Sequence, residues 1–298
     1  MEERDEERRC AAFIVKCAGS ETRAPADKTL SPPPAVPTIR GFVEKIAFHL
    51  GPLTVHWFGV FVAAAFLTGL WTAARRAGRD GISPDRIYEA GTWLIVGTIV
   101  GARLLYVISY WRDSFAGRPW TEVFRVWEGG LVFYGGLVGA TLACLVFVRW
   151  HRLPLWKFGD ALAPSISLGY FVGRFGCLMN GCCYGRSTSV PWAIHFPAEH
   201  PSGGVGVHPV QLYDAILNIG LFLLLAWLHR RKKFDGQVFA GYLIGYSVLR
   251  AFVEMFRGDY PVHYLGGIAT PAQLVSLATF ATGLLLWWKL PRPQAGRA

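Results

Sequence analysis

The chain has 298 residues, of which 52% are hydrophobic and only 17% charged, and its formal net charge is +10. Soluble domains run at about 25% charged, whereas the mean hydropathy here is +0.31 and the apolar residues gather in blocks near the roughly 20 residues that cross a bilayer. This excludes an ordinary soluble domain, and with it a basic nucleic-acid-binding face, which would need such a domain to carry it.

Residues 1–45 differ from the rest. Met1–Arg9 is almost wholly charged, Cys10–Gly19 is apolar but too short to span, and Ser31-Pro32-Pro33-Pro34 with Pro37 reads as an extended linker. The segment is expected to be a disordered tail. Seven apolar spans follow: Leu53–Ala74, Tyr88–Tyr110, Leu131–Trp150, Ala161–Asn180, Gln211–His229, Val238–Arg257 and Gly267–Trp288. Pro164 and several glycines interrupt the fourth, which is tolerated where neighbouring helices satisfy the freed backbone. Residues 46–290 are read as one transmembrane domain and residues 291–298 as a short cytoplasmic tail.

Charge placement sets an expected orientation. Arg75, Arg76, Arg79 and Arg86 follow the first span; Arg149, Arg152 and Lys157 the third; Arg230, Arg231, Lys232 and Lys233 the fifth; Lys289, Arg292 and Arg297 the seventh. The alternate loops hold Arg112, Arg118, Arg125, Arg186 and Arg257. By the positive-inside rule the fold class is an all-α polytopic membrane protein of about seven helices, N-terminus outside and C-terminus cytoplasmic. With that orientation His56, Tyr134, His208, Gln211, Arg103, Arg174, Arg250, Glu254 and Arg257 all fall toward the outer half of the bilayer. Such segregation predicts one polar cavity open to the outer leaflet. A transporter would carry polar groups through the inner half as well, so transport is the weaker alternative.

Arg250, Glu254 and Arg257 are spaced i, i+4, i+7 on one helix face that Tyr246 extends. An internal Arg250–Glu254 ion pair is expected, and it is compatible with function. Arg103, with Tyr106 and Tyr110, reads as a side chain snorkelling to the interface. His56 before Trp57 reads as an interfacial anchor, and Asp160 before Ala161 as an N-cap. Three arginine-bearing helices around one site predict a surplus of positive charge that calls for an anionic ligand.

The densest motif runs Gly173-Arg174-Phe175-Gly176-Cys177-Leu178-Met179-Asn180-Gly181-Cys182-Cys183-Tyr184-Gly185-Arg186. An arginine at membrane depth marks a functional site by default, and a planar guanidinium can grip two phosphate oxygens. The outer-leaflet ligand of that chemistry is a phospholipid head group. Cys177, Cys182 and Cys183 read as small residues packed at a helix end, with a Cys177–Cys182 disulfide as the alternative. Their spacing does not make the two C-x2–4-C pairs of a standard structural zinc pattern, so neither metal nor cofactor is expected.

Further motifs complete the set: Val55-His56-Trp57-Phe58-Gly59, Phe124-Arg125-Val126-Trp127-Glu128-Gly129-Gly130, Phe133-Tyr134-Gly135-Gly136-Leu137-Val138-Gly139, His208-Pro209-Val210-Gln211-Leu212-Tyr213 and Arg250-Ala251-Phe252-Val253-Glu254-Met255-Phe256-Arg257. In this order the chain, from about Leu53 to Trp288, resembles the bacterial prolipoprotein diacylglyceryl transferases. The resemblance implies transfer of the diacylglyceryl group of phosphatidylglycerol to the lipobox cysteine of a prolipoprotein, in the inner membrane. The partners would be that lipid and the signal peptide, with no nucleic acid, and the enzyme would act as a monomer. It implies Arg174, Tyr134, Arg250 and Glu254 as catalytic residues, and His56, Asn180, Gly185, His208, Tyr246 and Arg257, with Arg174, as substrate-binding. Four positions depart from the family's usual pattern: Tyr134 replaces a histidine, Cys177 an asparagine, Cys182 a glutamate and Phe58 a tyrosine. A diverged lipid-binding relative without catalysis is the other alternative.

Overall fold

The computed structural model describes residues 45–51, 53–126, 129–258 and 270–290. The tails expected at 1–45 and 291–298 lie outside these, Lys45 excepted. The described residues form seven helices: α1 (Trp57–Ala77), α2 (Pro84–Ser109), α3 (Phe133–Trp150), α4 (Leu155–Asn180), α5 (Val210–Arg231), α6 (Gln237–Glu254) and α7 (Pro271–Lys289). The strands are two small antiparallel ribbons, β1 (Ile46–Leu50) with β2 (Leu53–His56), and β3 (Ile194–His195) with β4 (Gly206–Val207). Each helix falls on one predicted span. The fourth runs unbroken through Pro164 and starts at Leu155 rather than Ala161.

Helices α1 to α5 are long and apolar enough to cross a membrane. Helix α6 is 18 residues long and interrupts its apolar run with Gln237, Ser247, Arg250 and Glu254; α7, of 19 residues, carries Gln273, Ser276, Thr279 and Thr282. Burial is inverted relative to a water-soluble protein. Leu223 and Leu277 are 61% and 66% exposed, while Asp160 and Asn218 are fully buried. Polar groups inside and apolar groups outside is what a lipid solvent selects, and the chain is a multi-pass, all-α membrane protein.

The described chain divides into two compact units. The first, Ala77–Phe158, is built on α2 and α3. Gly97 and Gly101 of α2 meet Gly139 of α3 so closely that a Cβ on Gly101 would lie 2.7 Å from the Gly139 Cα. Small residues at a helix crossing let backbones approach where lipid supplies no hydrophobic drive. Arg103 corrects an expectation here. It does not snorkel; it is 9% exposed, and it donates to the carbonyls of Val123 at 2.7 Å, Glu122 at 2.7 Å, Gly129 at 2.8 Å and Gly130 at 3.2 Å. The guanidinium fork spends its donors on four loop carbonyls at once.

The second unit, residues 45–76 with 159–290, holds α1, nearly all of α4, and α5 to α7. Asp160 again departs from its expected role. It lies inside α4, and its carboxylate accepts from the backbone N–H of Gly236 at 2.9 Å, Val238 at 2.9 Å and Phe239 at 3.0 Å. It caps α6, a helix 76 residues further on in sequence at its nearest bond, and Lys232 Nζ completes the shell at 3.1 Å. Thr270 caps α7 through a capping box with Gln273.

Candidate active site

Helix α4 delivers Arg174 to the interior of the second unit. Its Nη2 lies 2.5 Å from Asp214 Oδ2 on α5, with the two side chains 8% and 2% exposed. Nη2 also donates to the Tyr170 hydroxyl one turn earlier, and the guanidinium stacks over the Tyr170 ring at 4.6 Å. Tyr170 in turn donates to Asp214 Oδ2 at 3.3 Å, and Asn218 Nδ2 donates to Asp214 Oδ1 at 2.9 Å. One edge of the guanidinium is thus fixed by a carboxylate that is itself held from two sides. Arg174 Nε is buried and has no hydrogen-bond partner among the described residues.

A second anchored arginine comes from α6. Arg250 Nη2 pairs with Glu254 Oε2 at 2.8 Å, the i, i+4 pair expected from spacing. Thr270 Oγ1 donates to Glu254 Oε1 at 3.0 Å, so the residue that caps α7 also fixes this carboxylate. Arg250 Nη1 is buried and unpartnered among the described residues. Tyr246, one turn before Arg250, sets its ring edge-on to Tyr170 at 5.7 Å, and both guanidinium charges act on the Tyr170 hydroxyl. The positive surplus expected from sequence is reduced by this pairing. Asp214 and Glu254 balance Arg174 and Arg250, and Arg103 is engaged by loop carbonyls. What the two arginines present is unfilled donor capacity in a water-poor site.

The turn after α4 carries the cysteines. Gly181 (φ 74°) donates to Leu178 O at 3.1 Å and Cys182 N to Cys177 O at 3.1 Å, a Schellman pair that closes the helix. Gln211 Nε2 donates to Cys182 O at 2.8 Å, and the His200 ring hydrogen-bonds Gly181 O at 2.7 Å. Cys144, Cys177, Cys182 and Cys183 are all free thiols, so the alternative Cys177–Cys182 disulfide is absent here. Hydrogen bonds from Cys177 and Cys182, reinforced by the charges of Arg257 and Arg174, pull the Cys183 thiol well below its usual range against the effect of burial.

Beyond the turn, Gly185 crosses two strands of chain. Its N–H donates to His208 O at 3.0 Å, and Arg186 N to Phe256 O at 3.0 Å. A Cβ on Gly185 would meet the His208 Cβ at 2.6 Å and Phe256 O at 2.8 Å, so only glycine fits. His208 Nδ1 lies 3.2 Å from the Tyr213 hydroxyl, which accepts from Trp192 Nε1 at 2.7 Å. Burial, then the charge of Arg186, lowers the His208 pKa.

Arg174, Arg250, Glu254, Tyr246, Asn180, Gly185, His208 and Arg257 therefore belong to one compact unit, with Asn180 half-buried at the end of α4 and Arg257 bridging Gly185 through the backbone. His56 ends β2 and is exposed. Tyr134 lies in the other unit, at the second position of α3, and is 43% exposed.

The model of the prolipoprotein diacylglyceryl transferase family matches residues 45–289. The chain belongs to this family. Among relatives named phosphatidylglycerol–prolipoprotein diacylglyceryl transferase, that of Synechococcus elongatus is 36% identical over 247 residues, covering 80% of this chain and 84% of the relative. That of Geobacillus kaustophilus is 36% identical over 251 residues (82% and 92%), and that of Geobacter sulfurreducens 35% over 258 residues (85% and 98%). In this chain, the sequence motifs passed over Tyr170 and Asp214. Asp214 carried a readable signal, a carboxylate inside an apolar span. Tyr170 carried none, since a tyrosine in a membrane helix is unremarkable until its hydroxyl is seen against Arg174.

Proposed function

We propose that the protein transfers the diacylglyceryl group of phosphatidylglycerol to the lipobox cysteine thiol of prolipoproteins. The new bond is a thioether. The bond that breaks joins the glyceryl carbon to the phosphate oxygen, and glycerol phosphate leaves with the electron pair. The observation that carries this reading is the pair of buried, carboxylate-anchored arginines, each with an unfilled donor. Arg174 grips the phosphate and Arg250 assists, stabilising the charge that grows on the leaving group through preorganised donors. Asp214 and Tyr170 hold Arg174, and Glu254 orients Arg250. Tyr246, Asn180, Gly185, Arg257, His56 and His208 contribute to the lipid and peptide site. Tyr134 holds the place of the family's histidine.

The basic residues that follow α1, α3, α5 and α7 support a cytoplasmic C-terminus in the bacterial inner membrane and a site facing the outer leaflet. The enzyme acts as a monomer, without metal or cofactor in the transfer step. Complementation tests the reading: the chain is expressed in a bacterium depleted of its own transferase, and the mass of a reporter lipoprotein is followed. Wild type restores the diacylglyceryl mass increment, and Arg174→Ala, equally abundant in the membrane, does not. Wild type present in the membrane without added lipid defeats the proposal. The thiol proton is assigned to His208, whose lowered pKa keeps the imidazole neutral and able to accept, and Tyr134→Phe retaining wild-type rate shows that the Tyr134 hydroxyl is not needed for the transfer.

A further inference from the structure

The transfer step uses the substrate's thiol and leaves three thiols of the protein without a role. The Sγ atoms of Cys177, Cys182 and Cys183 all lie within 4.8 Å of one another. The convergence is built by the backbone. Cys177 and Cys182 occupy the two positions of the Schellman turn whose side chains touch, where a hydrophobic pair usually sits. Cys183 has φ 61°, a left-handed conformation that is strained for a non-glycine residue. Strain of this kind persists where surrounding structure enforces it, and it gathers at functional positions.

The distances suit a shared ion. Thiolates about 2.3 Å from one cation stand roughly 3.8–4.0 Å apart, so the cluster closes on an ion with a shift of under about 1 Å. Charge is also accommodated. Three thiolates around a divalent cation leave one negative charge, and Arg174 Nη1 lies 4.0 Å from Cys177 Sγ while Arg257 acts on Cys183. The carbonyls of the turn are fixed from outside by Gln211 and His200, the outer support that metal-binding loops require. Sulfur donors select zinc-class and softer cations over magnesium and calcium.

We propose that Cys177, Cys182 and Cys183 form a three-thiolate site for a zinc-class cation, set beside Arg174. Binding releases to solvent whatever protons the thiols still carry and leaves one coordination position for water. In sequence Cys177 and Cys182 make one C-x4-C pair, half of the two-pair pattern of structural zinc sites; a helix cap and one left-handed residue bring the third sulfur to it.

The test uses the full chain in detergent with Cys10, Cys17 and Cys144 changed to serine, which leaves only the cluster. The reduced protein is titrated with Cd²⁺, and the ultraviolet thiolate-to-cadmium charge-transfer band is followed. The band is expected to saturate at one Cd²⁺ per chain, to diminish when Zn²⁺ competes, and to be indifferent to Mg²⁺. Cys183→Ser or Cys182→Ser on this background is expected to weaken binding at least about 100-fold, since even outer-shell partners are worth about 10- to 100-fold. A band that does not saturate at one equivalent, or that survives both substitutions, overturns the site. So does protein isolated without reductant that shows one reactive thiol in the cluster instead of three, which would mean a disulfide in the ion's place. The readout does not depend on transferase activity, so its failure and that of the proposed function are separable.

Discussion

Replacing Asp214 with asparagine tests whether the site depends on the way Arg174 is held. The substitution keeps shape and leaves an oxygen to accept from Asn218, which now donates at 2.9 Å. It removes the charge that lies 2.5 Å from Arg174 Nη2, in a pair whose side chains are only 8% and 2% exposed. Removing one partner of a buried pair costs roughly 3–5 kcal/mol, because the survivor keeps its desolvation cost without its counter-charge. If about 3 kcal/mol of that falls on the transition state, kcat/KM falls about 100-fold. The assay is diacylglyceryl transfer from phosphatidylglycerol to a lipobox peptide in detergent, with Asp214→Asn, Arg174→Lys and the double variant measured together. We expect the two single losses to be strongly non-additive, since both remove one interaction. Asp214→Asn within about threefold of wild type, or losses that multiply in the double variant, would refute the claim that Asp214 acts through Arg174.

Other consequences follow from the packing. Asp160→Ala strips the cap from α6, leaves three backbone donors without their acceptor and removes the nearer carboxylate from Lys232. Thermal unfolding in detergent should show a loss of about 3–5 kcal/mol, of the order found for broken buried ion pairs, with Asp160→Asn recovering only part; an unchanged midpoint would refute the cap. Gly139→Leu should split α2 from α3 and abolish folded protein, whereas Gly220→Ala, which meets nothing within 4 Å, should leave size-exclusion profile and midpoint unchanged. His200 and His208 both have lowered pKa values, chiefly through burial. The unfolded chain therefore binds more protons than the folded one below the ordinary histidine value of about 6.5. Their stabilisation is complete above that pH and is lost as pH falls through the folded values. A midpoint that drops between pH 7 and pH 5, with a shallower drop in His200→Gln, is the expected result; equal slopes would refute it.

The helices were legible because their cause is local. A bilayer demands long apolar runs with internally bonded backbone, and each predicted span contains or overlaps a helix, even where Pro164 argued against the fourth. The Arg250–Glu254 pair was legible for the same reason, being one helical turn apart on a single face. The motifs that carry the family were also readable in order.

The tertiary structure decided which groups meet across helices. Arg103 has the composition of an interfacial residue, yet it ends on four carbonyls of a loop, a geometry that no spacing encodes. Asp160 precedes an apolar run as an N-cap would, yet it caps a helix on the other side of a long insertion. Asp214 joins Arg174 across α4 and α5, and Cys183 joins its neighbours only because its backbone turns left-handed. Secondary structure and membrane insertion depend on the period and length of apolar sequence, so the sequence alone determined them. Partners of buried charges depend on distances between elements remote along the chain, which packing alone sets.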